Sequence, residues 1–265
     1  MICEECNKRE AVHIHHKDGN HRNNAEANLA NLCAICHAKE HNISPQIDEL
    51  RILVDTRERY IKVKNAIANQ IRSFNWIEIE QPPEFNVELE QFKKYIKQTD
   101  KCIKQYVKSS MNNELTNWLL SIKGISEVTA AKLMSHINIK KSSTVSQLWR
   151  YCGLDAQYTK RKKGMTEEEA KKCGNPYLKK ELLGVLGDNF IKQRTPVYRD
   201  IYDTEKQKQL DRGLTKGHAH ARARRKMIKL FVAHYYEVAR KSEDLPYREP
   251  YAFEYLNHTT KIEPS

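Results

Sequence analysis

Residues Cys3–His41, CEECNKREAVHIHHKDGNHRNNAEANLANLCAICHAKEH, carry two CxxC pairs, Cys3/Cys6 and Cys33/Cys36. A CxxC turn aims both sulfurs at one ion, and two such turns fill a tetrahedral zinc shell with four thiolates. That shell has no open position, so the zinc it implies is structural. Disulfides or four unrelated thiols are the alternatives. Between and just after the pairs stand His15, His16, Asn28, His37 and His41, polar groups that a zinc scaffold does not need. Asp18-Gly19-Asn20 and Asn23-Asn24 have turn chemistry, and His13 and His21 are read as surface or packing histidines.

The segments HHKDGN, NLANLC and CHAKEH, flanked by the cysteine pairs, resemble the HNH (ββα-metal) endonuclease family in order and spacing. The resemblance covers the N-terminal module and implies metal-dependent hydrolysis of a phosphodiester, with Mg2+ or Mn2+ as the expected catalytic cation beside the structural Zn2+. Such hydrolysis needs an activated water and a Lewis acid on the phosphate. His16 is the candidate general base, since an imidazole titrates near neutral pH. Its neighbour His15 would point the other way and ligate the metal. His37 and His41 are four residues apart and share one helix face; His37 completes the site and His41 is a further candidate ligand. Asn28 either orients the base or coordinates the metal. A zinc module that binds nucleic acid without cutting is the non-catalytic alternative.

The 265 residues are 39% hydrophobic and 30% charged, with a formal net charge of +12. That length allows two domains, and the positive excess favours a polyanionic partner, most simply DNA. A basic membrane-surface protein is disfavoured: no apolar run reaches transmembrane length and no signal peptide is evident, so an intracellular protein with no membrane partner is expected. Seven cysteines, four of them in metal-type pairs, fit a reducing compartment. Cys102, Cys152 and Cys173 are read as ordinary thiols.

Beyond the N-terminal module (residues 1–44), Ser44-Pro45 suits an N-cap and first helical position. Residues 45–113 are expected to form a helical hairpin connector. In the first helix Leu53, Tyr60, Ile67 and Phe74 recur every seven residues; Pro82-Pro83 breaks the chain; the second helix carries the seam Leu89, Phe92, Ile96, Thr99, Ile103, Tyr106 and Ser110. The hairpin packs on itself or serves a homodimer.

Residues 114–243 are expected to be an all-α domain. ELTNWLLSIKGISEVTAAKLMSH has the form of a helix-hairpin-helix around Lys123, Gly124 and Ser126, a turn whose N–H groups bind phosphate. Ser126 stands where a second glycine is usual. The tracts SIKGISEVTAAKLMSHI, QLWRYCGLDAQ, KKCGNPYLKKELLGVL and ARARRKMIKLFVAHYYEVAR together are similar to the C-terminal domain of bridge-RNA-guided insertion-sequence transposases, which implies DNA and a guide or structured RNA as partners. In that family this domain supplies a nucleophilic serine. Here the corresponding tract, Gln157–Gly164, has no serine, and Thr159 is the nearest hydroxyl. Lys160, Arg161, Lys162 and Lys163 read as a phosphate-binding loop, and Arg222, Arg224, Arg225 and Lys226 as the cationic face of a long helix. His218 and His220 are expected on its solvent side. The tail, residues 244–265, is expected to lie extended against the body.

The expected fold is mainly α with a small zinc-bound ββα module at the N-terminus. The expected function is that of a metal-dependent HNH DNA endonuclease of a mobile element. Two alternatives stand beside it: a transposase or recombinase that uses Thr159 with the zinc module for recognition, and a non-catalytic nucleic-acid-binding protein.

Overall fold

The structure is a computed structural model and describes residues 1–41, 45–111, 113–155, 162–248 and 261–264. It divides into two compact units, Met1–Tyr106 and Val107–Ser265.

In the first unit β1 (His13–His16) pairs antiparallel with β2 (Leu29–Leu32), with His13 opposite Leu32 and His16 opposite Leu29. A 3-10 turn at Glu26–Asn28 leads into β2, and α1 (Ala34–Glu40) follows directly. The core of this ββα module is Cys3, Ala30, Leu32, Cys33 and Cys36, with Cys6 and Ile35 against it. A core made largely of thiols is too small to hold a fold by apolar burial, so ligation must supply the deficit.

Next come α2 (Pro45–Trp76) and α3 (Glu84–Ser110). Ser44 lies outside the described residues, but the helix does begin at Pro45. The two helices run antiparallel: Tyr106 donates to Glu49 at 2.7 Å, Arg57 pairs with Asp100, Tyr60 packs on Tyr95 and Phe74 meets Phe85. Each step up α2 is matched by a step down α3, as a hairpin requires. The expected seam is found from Leu89 to Tyr106, where Ile103 and Thr99 are buried. Ser110 is exposed, and the buried positions at that end are Val107 and Met111. A hydroxyl gains nothing from burial without a partner, so Ser110 stays on the exposed side of the helix.

The second unit is built on α11 (Lys216–Ser242), whose residues Ala219, Ala223, Met227, Phe231 and Tyr235 form a buried line at helical spacing. Around it stand α4 (Glu114–Ser121), α5 (Glu127–His136), α6 (Val145–Tyr151), α7 (Glu167–Lys172), α8 (Pro176–Lys179), α9 (Gly187–Gln193) and α10 (Tyr198–Asp211). Trp118 stacks on Phe231, and Phe190 stacks on Tyr198. A π-helical stretch, Lys180–Leu186, joins α8 to α9 in one continuous helix. Asn175 caps its start by accepting from the N–H groups of Tyr177 and Leu178. Arg240, buried on α11, donates to the carbonyls of Ile139, Ser142 and Pro246, which ties that end of the helix to its neighbours. Residues 249–260 of the expected extended tail fall outside the described set; beyond them, the Ile262 carbonyl accepts a hydrogen bond from His234 on α11. No described helix is long and apolar enough to cross a membrane.

Candidate metal centres and nucleic-acid contacts

The four sulfurs of Cys3, Cys6, Cys33 and Cys36 lie within 4.8 Å of one another. Two backbone devices converge them. The first CxxC closes as a turn in which the Asn7 N–H donates to the Cys3 carbonyl at 3.0 Å. The second begins at Cys33, which follows β2 as the N-cap of α1, and continues as the first turn of that helix. Glu4 links the two by accepting from the backbone and side-chain N–H of Asn31. Burial raises the Cys3 thiol, but N–H groups of Cys33, Cys6 and Glu5 outweigh it and bring Cys3 down to about 6. The N–H of Cys36 likewise holds Cys33 below the usual thiol range. Burial and the adjoining thiols push Cys36 up to about 12. Four thiolates this close repel one another in the absence of a cation, and a tetrahedral dication is what such a sulfur set fits.

The second cluster is His15, His37 and His41, which offer ring nitrogens within 4.8 Å of one another. Strand alternation sends the His15 ring inward, where it is buried, and leaves His16 on the opposite face. His37 and His41 reach it from one face of α1 and its C-cap. Burial, then the positive fields of His41, His13 and His15, hold His37 below the usual imidazole range and therefore in its ligating, neutral form. The Nδ1 atom of His15 is buried with no hydrogen-bond partner among the described residues, a cost that a metal bond would remove. Three imidazoles without a carboxylate match zinc-class ions; magnesium prefers oxygen ligands. The donor set therefore speaks for a nitrogen-loving ion where Mg2+ or Mn2+ was expected. His13, without a role in the sequence reading, stacks on His37 with ring centroids 4.6 Å apart.

His16 sits at the end of β1. Its Nε2 is 3.1 Å from Oδ1 of Asn24, its Nδ1 is buried without a partner, and its ring meets His21 edge-on. The side chain of Asn28 is bonded elsewhere. Its oxygen accepts from the Asp18 N–H, and its amide donates to the Asp18 carboxylate and the Asn23 carbonyl. Hydrogen bonds from Asn23, the Asn20 N–H and Asn28 hold Asp18 below the usual carboxylate range. Asn28 and Asp18 thus shape the loop, and the residue in contact with the candidate base is Asn24. The pair Asn23-Asn24 looked like turn formers only, and nothing local distinguishes the asparagine that faces inward.

In the second unit Gly124 takes φ +100° in the turn between α4 and α5, and Ser126 caps α5 by accepting from the Thr129 N–H. The carbonyls of Lys123 and Gly124 accept from Thr195 and Asn189, which pins the turn to the neighbouring segment. The side chains of Lys123, Lys162 and Lys163 are exposed. Lys160 and Arg161 lie outside the described residues, as does Thr159. On α11 the cations face acceptors of the unit itself: Arg222 donates to Gln209, Arg224 pairs with Asp188, Arg225 donates to the Leu154 carbonyl and Lys226 pairs with Glu205. His220, expected on the solvent side, is half-buried with its Nδ1 2.7 Å from the Tyr202 hydroxyl.

Residues 116–202 match the sequence model of the family described as Transposase IS116/IS110/IS902. The match runs from α4 into α10 and covers a third of the chain; the ββα module and the hairpin lie outside it. No curated protein matches the chain. Over residues 116–202 the C-terminal unit is therefore similar to a transposase-family domain.

Proposed function

We propose that the chain is a transposase-type enzyme of a mobile element, and that it breaks DNA with the histidine centre of its ββα module. The transposase-family match supports the first half of this reading. The second half rests on one observation: ring nitrogens of His15 on β1 and of His37 and His41 on α1 and its C-cap lie within 4.8 Å of one another, and His15 is followed in β1 by His16.

In this reading His15, His37 and His41 hold the catalytic cation. When bound, it supplies Lewis acidity to the scissile phosphate. The side-chain oxygen of Asn24 accepts the Nε2–H of His16, which leaves the lone pair on Nδ1. That nitrogen, buried and without a partner among the described residues, is the proposed acceptor of the attacking water's proton, which requires that DNA binding admit a water to it. Cys3, Cys6, Cys33 and Cys36 hold the structural zinc that keeps β1 and α1 together. The transposase-like unit grips DNA through the Lys123–Ser126 turn and its lysine and arginine side chains.

The family match favours a second reading, in which the C-terminal unit itself transfers strands and Thr159 supplies the hydroxyl. Supercoiled-plasmid cleavage separates the two. Wild type, His16→Ala and Thr159→Ala would be compared with zinc, manganese, magnesium or EDTA, in the presence of co-purifying RNA. Metal-dependent nicking lost in His16→Ala and kept in Thr159→Ala supports the histidine centre. The reverse pattern assigns the chemistry to Thr159. DNA binding with no strand breakage under any of these conditions sinks both readings.

A further inference from the structure

The second hairpin helix has a face that neither its packing nor the proposed cleavage centre uses. Lys94, Lys97, Lys101 and Lys104 on α3 are all exposed, and none has an ion-pair partner among the described residues. At 3.6 residues per turn they fall within an arc of about 80°. The seam from Leu89 to Tyr106 lies on another side of the helix and is engaged by α2. A further face carries the neutral residues Gln91, Gln98, Cys102, Gln105 and Ser109. Of the acidic residues of α3, Glu84 and Glu88 sit in its opening turns, Glu90 lies at the N-terminal end of the arc and is paired with Lys93, and Asp100 is held by Arg57. From Gln91 to Ser110 the helix has six lysines and that single aspartate.

We infer that this lysine arc is a docking surface for the backbone of double-stranded DNA. The four ammonium groups span about 15 Å of helix, and a duplex presents about nine phosphates over that length. The charge is complementary and regularly spaced. The arc contains no aromatic side chain, so it offers no stacking platform for a single strand. It also contains no apolar side chain to insert into a lipid surface, because the apolar face of α3 is already engaged by α2. DNA is the duplex to which the transposase-family domain of the same chain points. The contact is to phosphates and carries no sequence preference of its own. It does not depend on which residue breaks the strand.

The test is the salt dependence of binding of the full-length chain to a short DNA duplex, read by fluorescence anisotropy. Lys94→Gln, Lys97→Gln, Lys101→Gln and Lys104→Gln are combined in one variant, since glutamine keeps the helix propensity of lysine. Loss of four phosphate contacts makes the slope of log Kobs against log salt shallower by about 3 to 4. A second variant adds Gln91→Lys, Gln98→Lys and Gln105→Lys to the first and restores most of the charge on the neutral face; its slope is expected to stay shallow. Circular dichroism and the melting temperature check that both variants fold. An unchanged slope in a folded first variant overturns the inference. So does full recovery in the second, which would assign the effect to bulk charge. Loss of binding to an RNA duplex with DNA binding intact overturns the assignment to DNA.

Discussion

Oδ1 of Asn24 lies 3.1 Å from Nε2 of His16, whereas Asn28 is bound to Asp18 and Asn23. The two asparagines therefore do different work, and replacing each has a different expected signature. Asn24→Ala frees the His16 ring and its tautomer; cleavage is expected to fall about tenfold or more, with the melting temperature nearly unchanged, as for loss of a group that orients a general base. Asn28→Ala removes its hydrogen bonds to Asp18 and to the Asn23 carbonyl and loosens the loop; stability of the module is expected to fall by about 1 kcal/mol. Plasmid nicking beside thermal melting distinguishes them. Equal loss of stability in both variants would remove the distinction.

Metal removal should unfold the N-terminal module before it touches the C-terminal unit. The module's core is three buried cysteines with Ala30 and Leu32, so it has little apolar burial to fall back on. A strong chelator, or Cys33→Ser, is expected to open residues 1–41 to protease while the fragment from Val107 onward stays resistant. Metal analysis of the purified protein should give zinc, and Cys33→Ser should lower its content.

Gly174 is the glycine that the second unit cannot exchange. Its φ is +72°, and an added Cβ would meet the Arg150 carbonyl at 2.3 Å, the Gly153 nitrogen at 2.7 Å and the Tyr151 carbonyl at 2.8 Å. All three are backbone atoms, and the next residue docks there, with the Asn175 N–H donating to the Tyr151 carbonyl at 2.7 Å. Gly174→Ala is expected to cost about 3 kcal/mol or more. Gly213→Ala, with nothing within 4 Å of its added Cβ, should cost only the positive-φ penalty of about 1 kcal/mol. Urea denaturation of the two variants measures the difference.

His234 makes the second unit acid-sensitive. Burial holds its pKa below the ordinary 6.5, against the raising influence of the Ile262 carbonyl and of Glu237 and Glu263. A depressed folded value means that the unfolded chain binds the proton more readily. The stabilisation is complete above the unfolded value of about 6.5 and is lost as the pH falls through the folded value. The melting temperature is therefore expected to drop on acidification below about 6.5, and His234→Gln should flatten that part of the profile. His220, lowered first by burial and then by Arg224 and Lys206, adds to the same trend. A profile that is equally steep in His234→Gln would remove His234 from the account.

The elements whose signals are local were legible in the sequence. The paired CxxC spacing forecast the sulfur cluster; the four-residue spacing of His37 and His41 placed them on one helix face, while their grouping with His15 was implied by the resemblance to the HNH family; the repeats in α2 and α3 forecast an antiparallel hairpin. In each case two residues a fixed step apart on a strand or helix must share a direction, whatever the rest of the chain does. The partner of each polar side chain was set by packing instead. Asn24 rather than Asn28 meets His16 because of how the loop from Asp18 to Asn28 folds back. The arginines of α11 meet acceptors on distant segments: Arg224 finds Asp188, and Arg225 finds the carbonyl of Leu154. A cationic helix face looks the same in sequence whether its charges meet solvent, phosphate or an internal carboxylate, because charge carries no period that names its partner. Only the packing of α10, α9 and the segment after α6 around α11 supplies that information.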